Sequence, residues 1–370
     1  MAHPTYFNDS PLFPNPLACA RDFVEYGLHE INVRLPWNGI GPWLQETLDW
    51  IQLSIRPDLN VLIWPMILCM VFTVIRVFLN RVLFTKIPVW FKLNETSSEK
   101  FPESFWKFIV YSITWGWSIY LVFCKEEPLF FNLQSQWARW YPGEPLEPGV
   151  HWLYMVEMGF YLHCIYATLY LETIRKDFVV LMLHHVLTLG LLGFSYLVSY
   201  HRIGLLVLFL QDIGDITLEL SKTILYFKVQ NGVTYRWPEI GANVGFAVFT
   251  IQYAVFRLYW LPTKVLYSSL IISMHIYPDG PFHLPFNSML IALYLMHLYW
   301  FWFIIKLLIK ILVYGEKVSD TREDDEDQDG DPIKAKEESH AGHRGSNTDG
   351  TLTKKDDSSG GDSRKRNRKL

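Results

Sequence analysis

Seven apolar runs, each near the roughly twenty residues that a bilayer's hydrocarbon core demands, fall at about 59–83, 106–123, 154–171, 178–199, 203–227, 240–261 and 288–313. Lipid offers backbone N–H and C=O groups no partner, so such segments must close their hydrogen bonds within helices. Half of the residues are apolar and only 19 % are charged, which is too greasy for an average soluble domain. The 15 Trp and 20 Tyr suit a chain with many membrane–water boundaries, where amphipathic rings settle. The expected fold is an all-α polytopic membrane protein with about seven transmembrane helices.

An odd number of crossings puts the termini on opposite sides. Lys and Arg weight one set of connections (Arg76, Arg81, Lys86, Lys92, Arg175, Lys176, Lys228, Arg236 and Lys310 among them), which places the C-terminus in the cytosol and the N-terminus across the membrane. Residues 1–57 then form a lumenal or interfacial segment without a cleavable signal peptide, with an amphipathic patch, PWLQETLDWIQLSI, suited to the membrane surface. Residues 58–100 hold the first span and a short cytosolic linker, and 101–314 a membrane domain. The connections 124–149 and 262–287 are expected to be lumenal. Asn8 heads a sequon usable on the lumenal side, whereas the sequon at Asn94 faces the cytosol. From 315 to 370 an acidic block, a Ser/Gly/Asp-rich stretch and a basic end, RKRNRKL, predict a disordered tail. The four cysteines are too scattered for a disulfide framework or a CxxC zinc site.

Two runs carry residues that lipid does not tolerate. One holds His184 and His185, the next Asp212, Asp215 and Glu219. An ionisable group at bilayer depth costs roughly 2.5–3.5 kcal/mol unless it faces a partner or a protein-lined cavity. Asp212, Asp215 and Glu219 share one helix face, and His185, Thr188, Ser195 and Tyr196 form a polar stripe on the preceding helix, so a polar cavity between the two is expected. Imidazole beside carboxylate is what general-base or nucleophilic work requires. Adjacent histidines point about 100° apart on a helix, a poor geometry for holding one metal ion, and no metal is expected. Glu157, Tyr161, Cys164 and Thr168 make a further stripe that could line the cavity, while Glu219 can pair with Lys222 three residues on.

The motifs FPESFWKFIVY at Phe101, WYP at Trp140, EMGFYLH from Glu157, RKDF at Arg175, LHHVLT around the paired histidines, RIGLLV at Arg202 and DIGDITLELSK at Asp212 stand in an order and spacing that resemble the ceramide synthases, members of the TRAM-Lag1-CLN8 (TLC) domain family. The resemblance covers about 101–313. It implies six helices bundled around a central cavity in the endoplasmic reticulum membrane. It also implies transfer of a fatty acyl group from acyl-CoA to the amine of a sphingoid base, with no cofactor beyond that co-substrate. Carried onto this sequence, the catalytic candidates are His184, His185, Asp212 and Asp215, with Glu157, Tyr161, Thr188, Ser195, Tyr196, Gln211 and Glu219 as substrate-binding or cavity-lining candidates. Gln211 stands where many members have His, and Gln cannot take up a proton to become a cation.

Lys107, Arg175, Lys176, Lys222 and Lys228 are candidates for pairing with CoA phosphates. His184, one residue nearer the cytosolic end, is expected to meet the thioester with His185 in support. The family further suggests a homo- or heterodimer and a role for the last lumenal connection, about 274–286, in acyl-chain choice. Only about twenty residues, 86–105, separate the first two spans, too few for the homeobox-like insert of many animal members, so no nucleic-acid binding is expected. The rival readings are a non-catalytic TLC protein that binds lipid or assists membrane insertion, and a transporter with a proton relay.

Overall fold

The computed structural model describes residues 4–27 (without 8), 45, 48, 49, 60–125, 129–141, 143–172, 176–278 and 282–314. The sequon at Asn8, the phosphate candidate Arg175, most of the amphipathic patch at 42–55 and the tail from 315 onward lie outside these residues.

A short helix α1 (Pro16–Asp22) opens the described chain, with Pro16 at its first position and the Asn15 side chain accepting the Leu17 N–H at 3.0 Å. The first apolar run forms α2 (Asn60–Leu79), followed by one π turn (Asn80–Phe84) and α3 (Lys86–Phe91), which stops where Lys92 turns left-handed at φ 50°. Next comes α4 (Glu95–Phe123), so most of the expected linker at 86–105 is helical. Extended Asn94 and acidic Glu95 form a helix start that the apolar pattern alone does not reveal. Helices α5 (Pro148–Tyr170), α6 (Phe178–Leu197) and α7 (His201–Tyr226) follow.

An Asn231-Gly232 turn, with φ of 52° and 75°, closes a small hairpin of β1 (Val229–Gln230) and β2 (Val233–Thr234), a detail outside the all-α expectation. The rod α8 (Arg236–Ile276) passes from α geometry into a π-helical stretch, Tyr253–Leu266, that contains Pro262. The expected lumenal connection at 262–287 is therefore helical as far as Ile276. Proline lacks only its own N–H, and the wider π winding accommodates the ring that would break an α-helix. Last is α9 (His283–Tyr314).

Four described helices are long and apolar enough to cross a membrane: Val61–Phe91, Phe178–Leu197, Arg236–Ile276 and His283–Ile311. Helices α4, α5 and α7 have 29, 23 and 26 residues but carry more polar side chains, among them Glu157, Asp212 and Asp215. The chain is a multi-pass membrane protein.

The packing follows a closed order of neighbours, α4 to α5 to α6 to α9 to α8 to α7 and back to α4, with α2 lying outside against α5. The outward face of α2 is apolar and open, Leu62 and Val74 among the exposed residues, as lipid contact requires. Gly159 lets α2 approach: a Cβ there would stand 2.6 Å from Leu68 Cβ. At one end of the bundle, Arg76 of α2 and Lys107 of α4 both bind Glu172 past the end of α5, at 2.9 and 2.8 Å. At the other end the N-terminal segment is bolted down. Lys264 donates to the Ser10 and Pro11 carbonyls, Ser10 Oγ and the Phe130 carbonyl. Tyr267 donates to Asp22 at 2.5 Å, and Trp260 to the Leu12 carbonyl at 2.8 Å.

Candidate active site

His184 and His185 lie on α6 seven and eight residues after Asp177, about 10 Å in from the end where Arg76, Lys107 and Glu172 meet. Both open on a cavity of about 220 Å³ walled by α4, α6, α7, α8 and α9. Asp215, Arg257, Trp300 and Tyr111 line it beside them, and the walls toward Lys222 are apolar, with Leu218, Phe246, Phe249, Ile304 and Leu307. A second void of about 20 Å³ continues from His184 toward the opposite end of the bundle between Thr188, Ser195, Gln211, Phe286 and Leu290. His184 lines both voids, His185 only the larger.

The rings are held by aromatic packing. Trp300 stands edge-on to His184 at 5.2 Å, Tyr161 lies 5.8 Å from His185, and His297 of α9 lies 6.2 Å from His184, all between ring centroids. Among the described residues neither histidine hydrogen-bonds to an aspartate, and the buried Nδ1 atoms of both find no hydrogen-bond partner there. The aspartates are spoken for elsewhere: Asp212, fully buried, accepts from Thr114 at 3.2 Å, and Asp215 accepts from Arg257 at 2.8 Å. The pairing of imidazole with carboxylate expected from the two polar stripes is thus not present. The helix positions are right, but α4 and α8 supply the partners that the stripes were expected to supply to each other.

Of the remaining candidates, Thr188, Ser195, Gln211 and Tyr161 line the narrow void. Ser195 is 3.2 Å from the Tyr154 hydroxyl, and Tyr196 turns instead to His151 at 2.9 Å. Glu157 is fully buried in α5, away from either void, and Glu219 pairs with Lys222 at 3.8 Å. Among the phosphate candidates, Lys222 lines the large cavity, Lys107 is engaged with Glu103 and Glu172, and Lys228 lies 3.4 Å from Glu239. Lys176 is exposed just before α6. No group of three or more His, Cys, Asp or Glu able to hold a metal occurs among the described residues.

Sequence reasoning missed Arg257, Trp300 and His297. Arg257 had a readable signal, since a lone Arg inside the apolar run YAVFRLYW is costly unless it meets a partner. Trp300 is indistinguishable in sequence from an interfacial anchor.

Residues 100–306 match the family model of the TLC domain. The chain belongs to the TLC-domain family, alongside the ceramide synthases. It is 42 % identical over 234 residues to ceramide synthase 1 of Homo sapiens, covering 63 % of this chain and 67 % of that one. It is 36 % identical over 247 residues to ceramide synthase 1 of Mus musculus, covering 66 % and 71 %. With ceramide synthase LOH2 of Arabidopsis thaliana it shares 31 % over 276 residues, 70 % of this chain and 89 % of the relative. All the cavity-lining residues named above except Leu307 fall inside the TLC domain.

Proposed function

We propose that this TLC protein is a ceramide synthase that transfers a fatty acyl group from acyl-CoA to the amine of a sphingoid base. We place it in the endoplasmic reticulum membrane with seven crossings, the N-terminus lumenal and the C-terminus cytosolic. The observation that carries the reading is His184, a half-buried imidazole standing where a wide cavity with charged residues at its inner end meets a narrow void. A thioester carbonyl held at that junction would have its tail on apolar side chains and its sulfur toward the basic end of the bundle, where Lys176 and Lys222 can pair with phosphate.

The absence of a carboxylate on either imidazole favours His184 as nucleophile over His184 as a triad-like base, because a general base relies on a partner that fixes its tautomer. In the first half-reaction the imidazole attacks the thioester carbon and CoA departs. In the second the sphingoid amine attacks the acyl-imidazole. His185, on the same cavity, supports proton transfer.

Microsomes from cells expressing the chain, given labelled sphinganine and a panel of acyl-CoAs, test the activity. Ceramide above background is expected, and its absence with every acyl-CoA removes the reading. Mass spectrometry of enzyme trapped without amine is expected to find the acyl group on His184. Full product from a His184→Ala, His185→Ala double variant would remove the assigned site.

A further inference from the structure

Arg257 is a second group on the cavity wall, and neither the TLC resemblance nor the histidine chemistry accounts for it. It sits in the π-helical part of α8, 7 % exposed, and a guanidinium stays charged at any accessible pH. Two acceptors, both on α7, hold a single nitrogen: Nη2 donates to the Gln211 carbonyl at 2.6 Å and to Asp215 at 2.8 Å. Its Nε is buried with no acceptor among the described residues.

The seat for this side chain is built into the DIGD sequence. A Cβ on Gly214 would stand 3.4 Å from Arg257 Cζ and 3.5 Å from Nε, ordinary contact distances, so the guanidinium lies packed against α7 at Gly214. Tyr253, one turn earlier on the rod, has its ring 5.1 Å from Cζ and its hydroxyl 3.1 Å from the His297 carbonyl. The ring of His297 in turn adjoins that of His184, at 6.2 Å between centroids. Arg257 and His184 thus share one cavity and are linked through two packed rings.

Resting on the acyl-transfer reading, the geometry points to Arg257 as the residue that binds the reacting acyl carbonyl oxygen, with Asp215 as the residue that positions it. When the His184 nitrogen bonds to the thioester carbon, the carbonyl electron pair moves to oxygen. Collapse then breaks the C–S bond, and the imidazolium proton passes to the CoA thiolate. When the amine attacks the acyl-imidazole the same oxygen again gains the pair, collapse breaks the C–N bond to His184, and the amine proton goes to the imidazole. Both half-reactions need a donor aimed where negative charge develops, and a fixed cation on the cavity wall supplies it without reorganisation. Asp215 leaves Arg257 locally neutralised before the oxyanion forms and keeps the side chain from swinging, which makes Asp215 a positioning residue.

The test uses the full chain in lipid nanodiscs, with single-turnover release of CoA from palmitoyl-CoA in the absence of amine. Binding of the thioether S-hexadecyl-CoA, which lacks the carbonyl oxygen, is measured alongside. Arg257→Gln is expected to slow release by about 100- to 1,000-fold while thioether affinity stays within twofold of wild type. Arg257→Lys, a point cation without the planar fork, should recover about tenfold of that loss. A fall under fivefold, or a thioether affinity that drops in step with the rate, overturns the role. If Arg257→Gln does not accumulate, Gly214→Val, which displaces the guanidinium but keeps it, must slow release without weakening thioether binding, and an unchanged rate overturns the role equally. A wild-type chain that releases no CoA from any member of an acyl-CoA panel without amine would instead remove the acyl-histidine step, and one that also forms no ceramide with amine present would remove the acyl-transfer reading.

Discussion

Trp300 donates its indole N–H to Asp177 at 3.2 Å while its ring stands edge-on to His184 at 5.2 Å between centroids. The residue that precedes α6 therefore fixes, through a ring on α9, the imidazole two turns further along α6. A hydrogen bond of this kind is worth about 1 kcal/mol and an aromatic pair about 0.5–1.5 kcal/mol. Trp300→Phe, which keeps the edge contact, is expected to lower acyl transfer about fivefold, and Trp300→Ala about tenfold or more. Asp177→Asn, which keeps an acceptor oxygen, should remain near wild type. Initial rates in microsomes, normalised to protein level, check all three.

Single substitutions at the paired histidines should separate them. His184 touches both voids and His185 one. His184→Ala is expected to abolish acyl transfer to background, a loss above the roughly 100- to 10,000-fold typical of a proton-transfer residue. His185→Ala should fall within that range and leave measurable turnover. Equal residual rates in the ceramide-forming assay would contradict the distinction.

Glu172 is a carboxylate to which both Arg76 and Lys107 bind, and its side chain is only 6 % exposed. Removing it leaves two cations near one another without their shared counter-charge. Breaking a buried pair costs about 3–5 kcal/mol. Glu172→Ala is expected to lower the melting temperature in detergent by several degrees and to loosen α2 first, because Arg76 is on that helix. Fluorescence-detected gel filtration after heating measures the shift, and a parallel Arg76→Met, Glu172→Met double variant should recover part of it.

The seat of the N-terminal segment is pH-dependent in a defined direction. Burial pushes the Asp22 carboxyl up, but hydrogen bonds from Tyr267 and Thr5 and the nearby Arg21 outweigh it and hold the group below its ordinary 3.8. A depressed carboxylate contributes stability that is complete above its unfolded value and lost as pH falls through the folded one. Docking of residues 4–27 should therefore be unchanged from neutral pH down to about 5 and should weaken only in stronger acid. Hydrogen exchange of the 9–22 backbone amides at pH 7 and after an acid pulse reads this out. Asp22→Asn should make exchange faster already at pH 7.

The apolar runs located the rods because a bilayer leaves little freedom in length and periodicity, and four of them meet the requirement by length and composition alone. That His184, His185 and Asp215 would face a protein-lined cavity was likewise legible, since ionisable residues in greasy sequence have few uses. Partner choice was not legible. Thr114 takes Asp212 and Arg257 takes Asp215, and each partner lies 98 and 42 residues away in the chain, a distance over which periodicity carries no information. Pro262 misled for a local reason, because a residue that ends an α-helix is tolerated where the winding is already widened.

Two buried cations on α8, Arg257 and Lys264, are fastened seven residues apart to different parts of the protein, one to the helix bearing the aspartates, the other to carbonyls of the N-terminal segment and of the 129–141 loop. The rod is pinned at two points near its middle. A shift of the outer segment has little slack to absorb it over seven residues of helix, so trimming the first residues of the chain changes the tension at the cavity wall without touching any group inside it.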